Sequence, residues 1–324
     1  MTIRFLFCFV TLFLAEGAFA LNCKSILSKD VKAPVITSRN FKKSVRYIKS
    51  HGLKIPYVDL KPTGKSNGKT VLLIAGFSKN MRSWLPHMRL LTAKGYRVVS
   101  YDQTNVGYNL FENGVLKLDK GTGLDTDSIL AMDVLKTTGV TKNLSIMGHS
   151  RGGAVAARLA LMARGSNIGL DRVLLLMPYV RYIWTSQTPL EAFGESMYDI
   201  SSEFNPQYYG KFLYDRSKVK KYEVIDELSD HSLESALVYV LKGLKLNEKA
   251  EVSTKDVLDA LLKLDKNMQI DTYAGEHDLE LAPPKIVSEL ESKGINYSLF
   301  KGKTKDHYWP LHYAESMLKE VGLL

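Results

Sequence analysis

The chain has 324 residues, 45% of them hydrophobic and 24% charged, enough for one large core and unlike a disordered or low-complexity polymer. Its 23 glycines and 10 prolines exclude collagen-like and Pro-rich classes. The net charge of +10 comes from scattered Lys and Arg whose densest run, Arg216-Ser217-Lys218-Val219-Lys220-Lys221, is short, so it reads as a solvated face and no nucleic-acid partner is expected.

Residues 1–20 read as a signal peptide: Arg4, the apolar run Phe5 to Ala15, then Ala18-Phe19-Ala20 as a small-x-small cleavage site. The run is too short to span a bilayer of ~30 Å, and no later segment is apolar enough, so no integral membrane segment is expected after cleavage. The mature protein is expected in the periplasm or outside the cell, where contact with a lipid or envelope surface is compatible with its charge. Cys8 leaves with the leader, and Cys23 alone excludes an intramolecular disulfide. Lipid modification of Cys23 is the other reading of that residue, and the large polar Asn22 argues against it. The seven histidines are dispersed, with no HxxxH and no CxxC, so no metal and no cofactor are expected.

After a lead-in over 21–44, the pattern alternates strand and helix. Val45 to Leu60 reads as two strands around a turn at His51-Gly52. Thr70 to Ala75 is a buried strand, Trp84 to Lys94 a helix stopped by Gly95, and Tyr96 to Tyr101 a strand ending at Asp102. Thr126 to Thr138 has helical spacing and closes at Gly139. Leu144 to Met147 is a strand, Ala154 to Arg164 a small-residue helix, and Arg172 to Met177 a strand stopped by Pro178. Met268 to Tyr273 is a strand, Pro284 to Lys293 a helix, Tyr297 to Lys301 a strand, and Tyr313 to Val321 a last helix. Strands separated by helices predict an α/β fold with a mostly parallel sheet flanked by helices. The core is therefore expected in two pieces, 45–178 and 268–324. Between them, 179–267 shows only helical patterns and reads as a helical cap inserted late in the sheet. Its first part is about threefold richer in aromatic residues than the 10% of the whole chain. These rings pack the cap onto the core or, with Tyr179, Tyr182 and Trp184 foremost, line an apolar substrate cleft.

The chemistry is expected at Gly148-His149-Ser150-Arg151-Gly152. This G-x-S-x-G follows a strand and opens a helix, the setting that holds a serine at a sharp turn with its hydroxyl exposed. A serine needs a base within hydrogen-bond reach, itself oriented by a carboxylate. On such a scaffold the acid follows the serine and the histidine comes last. Asp278, in the loop after the strand ending at Tyr273, is the expected acid, and His307, after the strand Tyr297 to Lys301, the expected base. Glu276 and Asp306 are their neighbours and read as solvated loop carboxylates. His149 packs within the elbow, His277 adjoins the acid, and His312 falls at the start of the last helix. The developing oxyanion needs two preorganised donors, which selects the backbone N–H groups of Phe77 and Arg151. Phe77 also walls the acyl pocket.

These motifs resemble the α/β-hydrolase superfamily, in its esterase, lipase and peptidase branch. Ala75-Gly76-Phe77 with Ser83-Trp84 resembles the family's "HG-F…SW" loop, Tyr96 to Gly107 its "G-Y-x-V-x-x-x-D…G" strand, and Gly148 to Gly153 its elbow. Gly275 to Asp278 resembles its acid loop, and Asp306-His307 its histidine loop. Three departures stand out. Ala75 replaces a histidine, Gln103-Thr104-Asn105-Val106-Gly107 replaces "LRG-x-G", and Arg151 stands where Met or Gln is commoner. The resemblance implies a serine hydrolase acting on a small-molecule ester with an apolar portion through an acyl-serine intermediate. A peptidase or amidase with the same triad stays open, with Glu191, Glu195 and Asp199 available to hold a charged peptide end. So does a non-catalytic hydrolase-fold binding protein.

Overall fold

Eight strands form one sheet in the order β1-β2-β4-β3-β5-β6-β7-β8 in this computed structural model. The structure describes residues 41, 43–76, 79–104, 107–113, 124–178, 263, 268–275, 292, 297–300 and 309–324. β1 (Arg46–Ser50) and β2 (Leu53–Leu60) make an antiparallel hairpin whose turn, His51 at φ 51° and Gly52 at φ 78°, puts two successive residues at positive φ. That is the mirror-image turn whose twist matches a two-residue hairpin. β2 then pairs antiparallel with β4 (Arg97–Tyr101). From there every pairing is parallel through β3 (Thr70–Ile74), β5 (Leu144–His149), β6 (Leu170–Leu176), β7 (Gln269–Gly275) and β8 (Tyr297–Phe300).

A parallel sheet is covered on both faces, so its central strands β3 and β5 are buried along their whole length. The alternation of side chains sorts them into two cores. Leu72, Ile74, Ile146, Val173 and Leu175 pack with α3 (Leu124–Thr138) and α4 (Arg151–Gly165). Val71, Leu73, Met147, Leu174 and Leu176 pack with α1 (Leu85–Ala93) and α6 (Ala314–Glu320). α2 (Gly107–Asn113) and the short α5 (Trp309–His312) complete the described helices. The C-terminal segment is pinned at two places. His87 Nε2 donates to the Pro310 carbonyl at 2.9 Å, and Arg172 pairs with Asp271 while donating to the Val321 carbonyl at 2.5 Å.

The sequence expectations and the structure differ at element ends. The strand expected over 144–147 runs to His149, and the helix expected from Ala154 begins at Arg151, because the glycines at the elbow let helix and strand meet without a loop. α2 was not expected. The last helix, expected over 313–321, spans Ala314–Glu320, and its N-cap Tyr313, at φ −119° and ψ 52°, separates it from α5. His312 therefore ends a short helix and does not open the last one. The expected signal peptide, the cap over 179–267 and the helix 284–293 lie outside the described residues, apart from isolated positions at 263 and 292.

Candidate active site

β5 delivers the chain to the C-terminal edge of the sheet, and α4 starts at Arg151, so Ser150 alone makes the reversal. Its backbone sits at φ 52° and ψ −124°, a region that costs a residue with a side chain about 1–3 kcal/mol. Two bonds hold it there. The Ser150 N–H donates to the Leu176 carbonyl at 2.9 Å, and the Gly153 N–H donates to the Ser150 carbonyl at 2.8 Å. The surrounding glycines are steric requirements. A Cβ on Gly148 would overlap the Gly152 carbonyl, and one on Gly152 would overlap the carbonyls of Ile74 and Ala75. A Cβ on Gly153 would come within 2.9 Å of Pro178 Cβ. Ser150 itself stays partly exposed, and its hydroxyl makes no capping bond to α4.

The chain leaving β3 passes against this serine. A Cβ on Gly76 would lie 3.1 Å from Ser150 Cβ and 3.0 Å from His149 Nδ1. His149 is buried, so it forms the floor between the two segments. Arg151 opens α4, and the first turn of a helix directs its N–H groups outward, away from the intrahelical ladder.

Beneath the elbow lies a buried polar cluster that the sequence analysis did not single out. Asp127, on α3, is fully buried and ion-pairs with Arg151 Nη1 at 2.8 Å. Its other oxygen accepts the Thr104 N–H at 2.8 Å. Arg151 Nη1 also donates to Gln103 Oε1, and Gln103 Nε2 donates to the Ala75 carbonyl. Burial raises the Asp127 carboxyl pKa, and Arg151 and the Thr104 N–H work against that rise. A second buried carboxylate, Asp102, accepts the N–H groups of Met81 and Tyr108, each at 2.7 Å. It thereby satisfies one first-turn N–H of the 3-10 turn Met81–Trp84, whose N-cap is Asn80, and one of α2. Burial pushes its pKa up to about 7, although those N–H groups and Arg82 pull the other way. One signal for Asp127 was present: it shares a helical stripe with Leu124, Ser128 and Ala131, which is an apolar face with a carboxylate in it.

Of the expected site residues, the structure brings Ser150 and the start of α4 at Arg151 to the sheet edge. Phe77, Asp278, His307, Tyr179, Tyr182 and Trp184 lie outside the described residues, as do Glu276, His277 and Asp306. The strands preceding the acid and base loops are described. Register rows run from His149 through Leu176 and Tyr273 to Ser298, so β7 and β8 end on the same edge of the sheet as β5. Among the described residues no group of three His, Cys, Asp or Glu is placed to hold a metal ion. Among them, too, no helix is long and apolar enough to cross a membrane.

Comparison with known proteins agrees with this architecture. A family model for the alpha/beta hydrolase fold matches residues 69–214. The AB hydrolase superfamily protein YfhM of Bacillus subtilis is 35% identical over 101 residues, 30% of this chain and 32% of that protein. The chain spans about a third of the length of the curated relatives it matches. Among solved structures, a membrane phospholipase A, a bacterial virulence factor, superposes with TM-score 0.61 at 19% identity, over 99% of this chain and 98% of that one. The enol-lactonase of Burkholderia xenovorans superposes with TM-score 0.60 at 17% identity, over 86% of this chain and 98% of that one. Both share the fold.

Proposed function

The chain belongs to the α/β-hydrolase superfamily, and from that premise we propose that it is a serine hydrolase cleaving a carboxylic ester with an apolar portion. The observation that carries this reading is Ser150, strained at φ 52° in a one-residue reversal between β5 and α4, with the Gly76 backbone against it. Strained backbone at a residue with a side chain clusters at functional sites, which supports a chemical role for this serine. In the proposed reaction Ser150 Oγ attacks the ester carbonyl while His307 takes its proton and Asp278 orients the imidazole. The carbonyl oxygen, now negative, is held by the N–H groups of Phe77 and Arg151. Collapse expels the alcohol, protonated by His307, and water then releases the acid from the acyl-serine by the same route. The aromatic segment beginning at Tyr179, Tyr182 and Trp184 is proposed to receive the apolar part, and residues 1–20 to export the enzyme.

A panel of p-nitrophenyl esters from acetate to hexanoate, run beside aminoacyl anilides, tests the reading. The expected result is ester turnover, with kcat/KM rising along the series because each buried methylene is worth up to ~0.8 kcal/mol. Turnover of anilides alone would replace the esterase by a peptidase. A flat series would remove the apolar cleft.

A further inference from the structure

Gln103 has the chemistry of a clamp. Its amide is oriented by partners that allow one choice, since a guanidinium only donates and a backbone carbonyl only accepts. The oxygen therefore takes Arg151 Nη1 and the NH₂ group takes the Ala75 carbonyl. Arg151 is in turn fixed by the fully buried Asp127 at 2.8 Å, and Asp127 by the Thr104 N–H. A charge pair this deep is costly to desolvate and is weak evidence for stability. What it does here is join two segments: Ala75 directly follows β3 and immediately precedes Gly76, and Arg151 opens α4 next to Ser150. The first turn of α4 already presses on β3, where Gly152 has no room for a Cβ beneath the carbonyls of Ile74 and Ala75. Two departures from the resembled pattern also meet at this carboxylate. Thr104 stands at the arginine of "LRG-x-G", and Arg151 stands where Met or Gln is commoner.

We propose that Gln103 and the Arg151 side chain are positioning residues that hold the end of β3 in register with Ser150 and the Arg151 N–H. This rests on the reading of Ser150 as the nucleophile. A slack clamp leaves ground-state binding of the ester in place and loosens the donors that act on the developing oxyanion. The loss should thus fall on kcat and spare KM.

Gln103→Met tests this without changing charge, because Met fills the same length and can bond neither partner. On p-nitrophenyl butyrate the expected result is a fall in kcat of about tenfold or more with KM within about threefold. A lowered melting temperature with kcat of the folded enzyme unchanged would make the cluster merely structural and overturn the proposal. A second variant decides independently. Arg151→Met should lose kcat similarly, because it removes the same link from the α4 side. No loss of kcat in this variant overturns the proposal. Ser150→Ala, assayed alongside, separates the two readings. If it is inactive while Gln103→Met and Arg151→Met turn over like the parent, only the clamp fails. If it stays active, the nucleophile reading fails and the clamp with it.

Discussion

Ser150 combines two demands in one residue, a backbone that glycine would prefer and a hydroxyl that glycine lacks. Ser150→Ala and Ser150→Gly should both lose ester turnover by several orders of magnitude, together with labelling by a fluorophosphonate probe. Of the two, Ser150→Gly should be the more stable, by roughly 1 kcal/mol, since it releases the positive-φ strain. A melt showing the alanine variant equal or better would mean that the elbow is not strained. Which histidine serves as base is the other question at this scale. His307→Ala should lower activity by about a thousandfold or more, and His312→Ala by less than about tenfold. His312 closes α5, whose next-to-middle residue Pro310 is bonded to His87 on α1, so its backbone is committed to the packing of the C-terminal segment. Activity of the parent enzyme should fall on acidification through pH ~6.5 as the base takes up a proton. Assays of both alanine variants on one ester settle the assignment, and a dead His312 variant would refute it.

At the scale of elements, the central strands were legible because they carry continuous apolar runs, and the structure buries β3 on both faces. The hairpin at His51-Gly52 was legible from its glycine, while positive φ at His51 is a demand of the mirror-image turn that the residue type does not announce. The meeting of β5 and α4 was read too loosely. Sequence patterns stop an element where apolar periodicity stops, and glycines do not extend it. In three dimensions Gly148, Gly152 and Gly153 are the contact surface between strand and helix. Gly152→Ala is thus expected to cost about 1–3 kcal/mol or more, because its Cβ must displace backbone carbonyls of β3 and not a flexible side chain. Thermal denaturation checks this, and Gly165→Ala, where a Cβ meets open space, is the control. That control should melt within a few degrees of the parent.

Over the whole molecule, buried carboxylates tie pH to stability. Asp102 has a folded pKa near about 7, against an ordinary aspartate value of ~3.9 in the unfolded chain. Between those values the folded protein holds the proton and the unfolded chain does not. This group's contribution to stability therefore falls as pH rises from ~4 to ~7 and levels off above. Asp127 is shifted in the same direction. Asp102→Asn removes the titration and one acceptor, so the variant should be less stable than the parent at low pH. Its deficit should narrow as pH rises through that window. Denaturant melts at pH ~4.5 and ~7.5 measure the two gaps, and equal gaps would contradict the assignment of the burial effect to Asp102.

From residues in order, the protein's class, its sheet and its candidate nucleophile were accessible, because these depend on local patterns: apolar runs, glycine punctuation and a serine between a strand and a helix. The polar cluster beneath the elbow was not. Gln103 follows β4, Asp127 lies on α3 and Arg151 opens α4, and nothing along the chain says that they share one buried site. Read alone, Gln103 was part of a stretch that departs from the family pattern and Arg151 a backbone donor with an unusual side chain. Only packing α3 and α4 on the same face of the sheet brings the carboxylate to the guanidinium, and only burial makes their pairing obligatory.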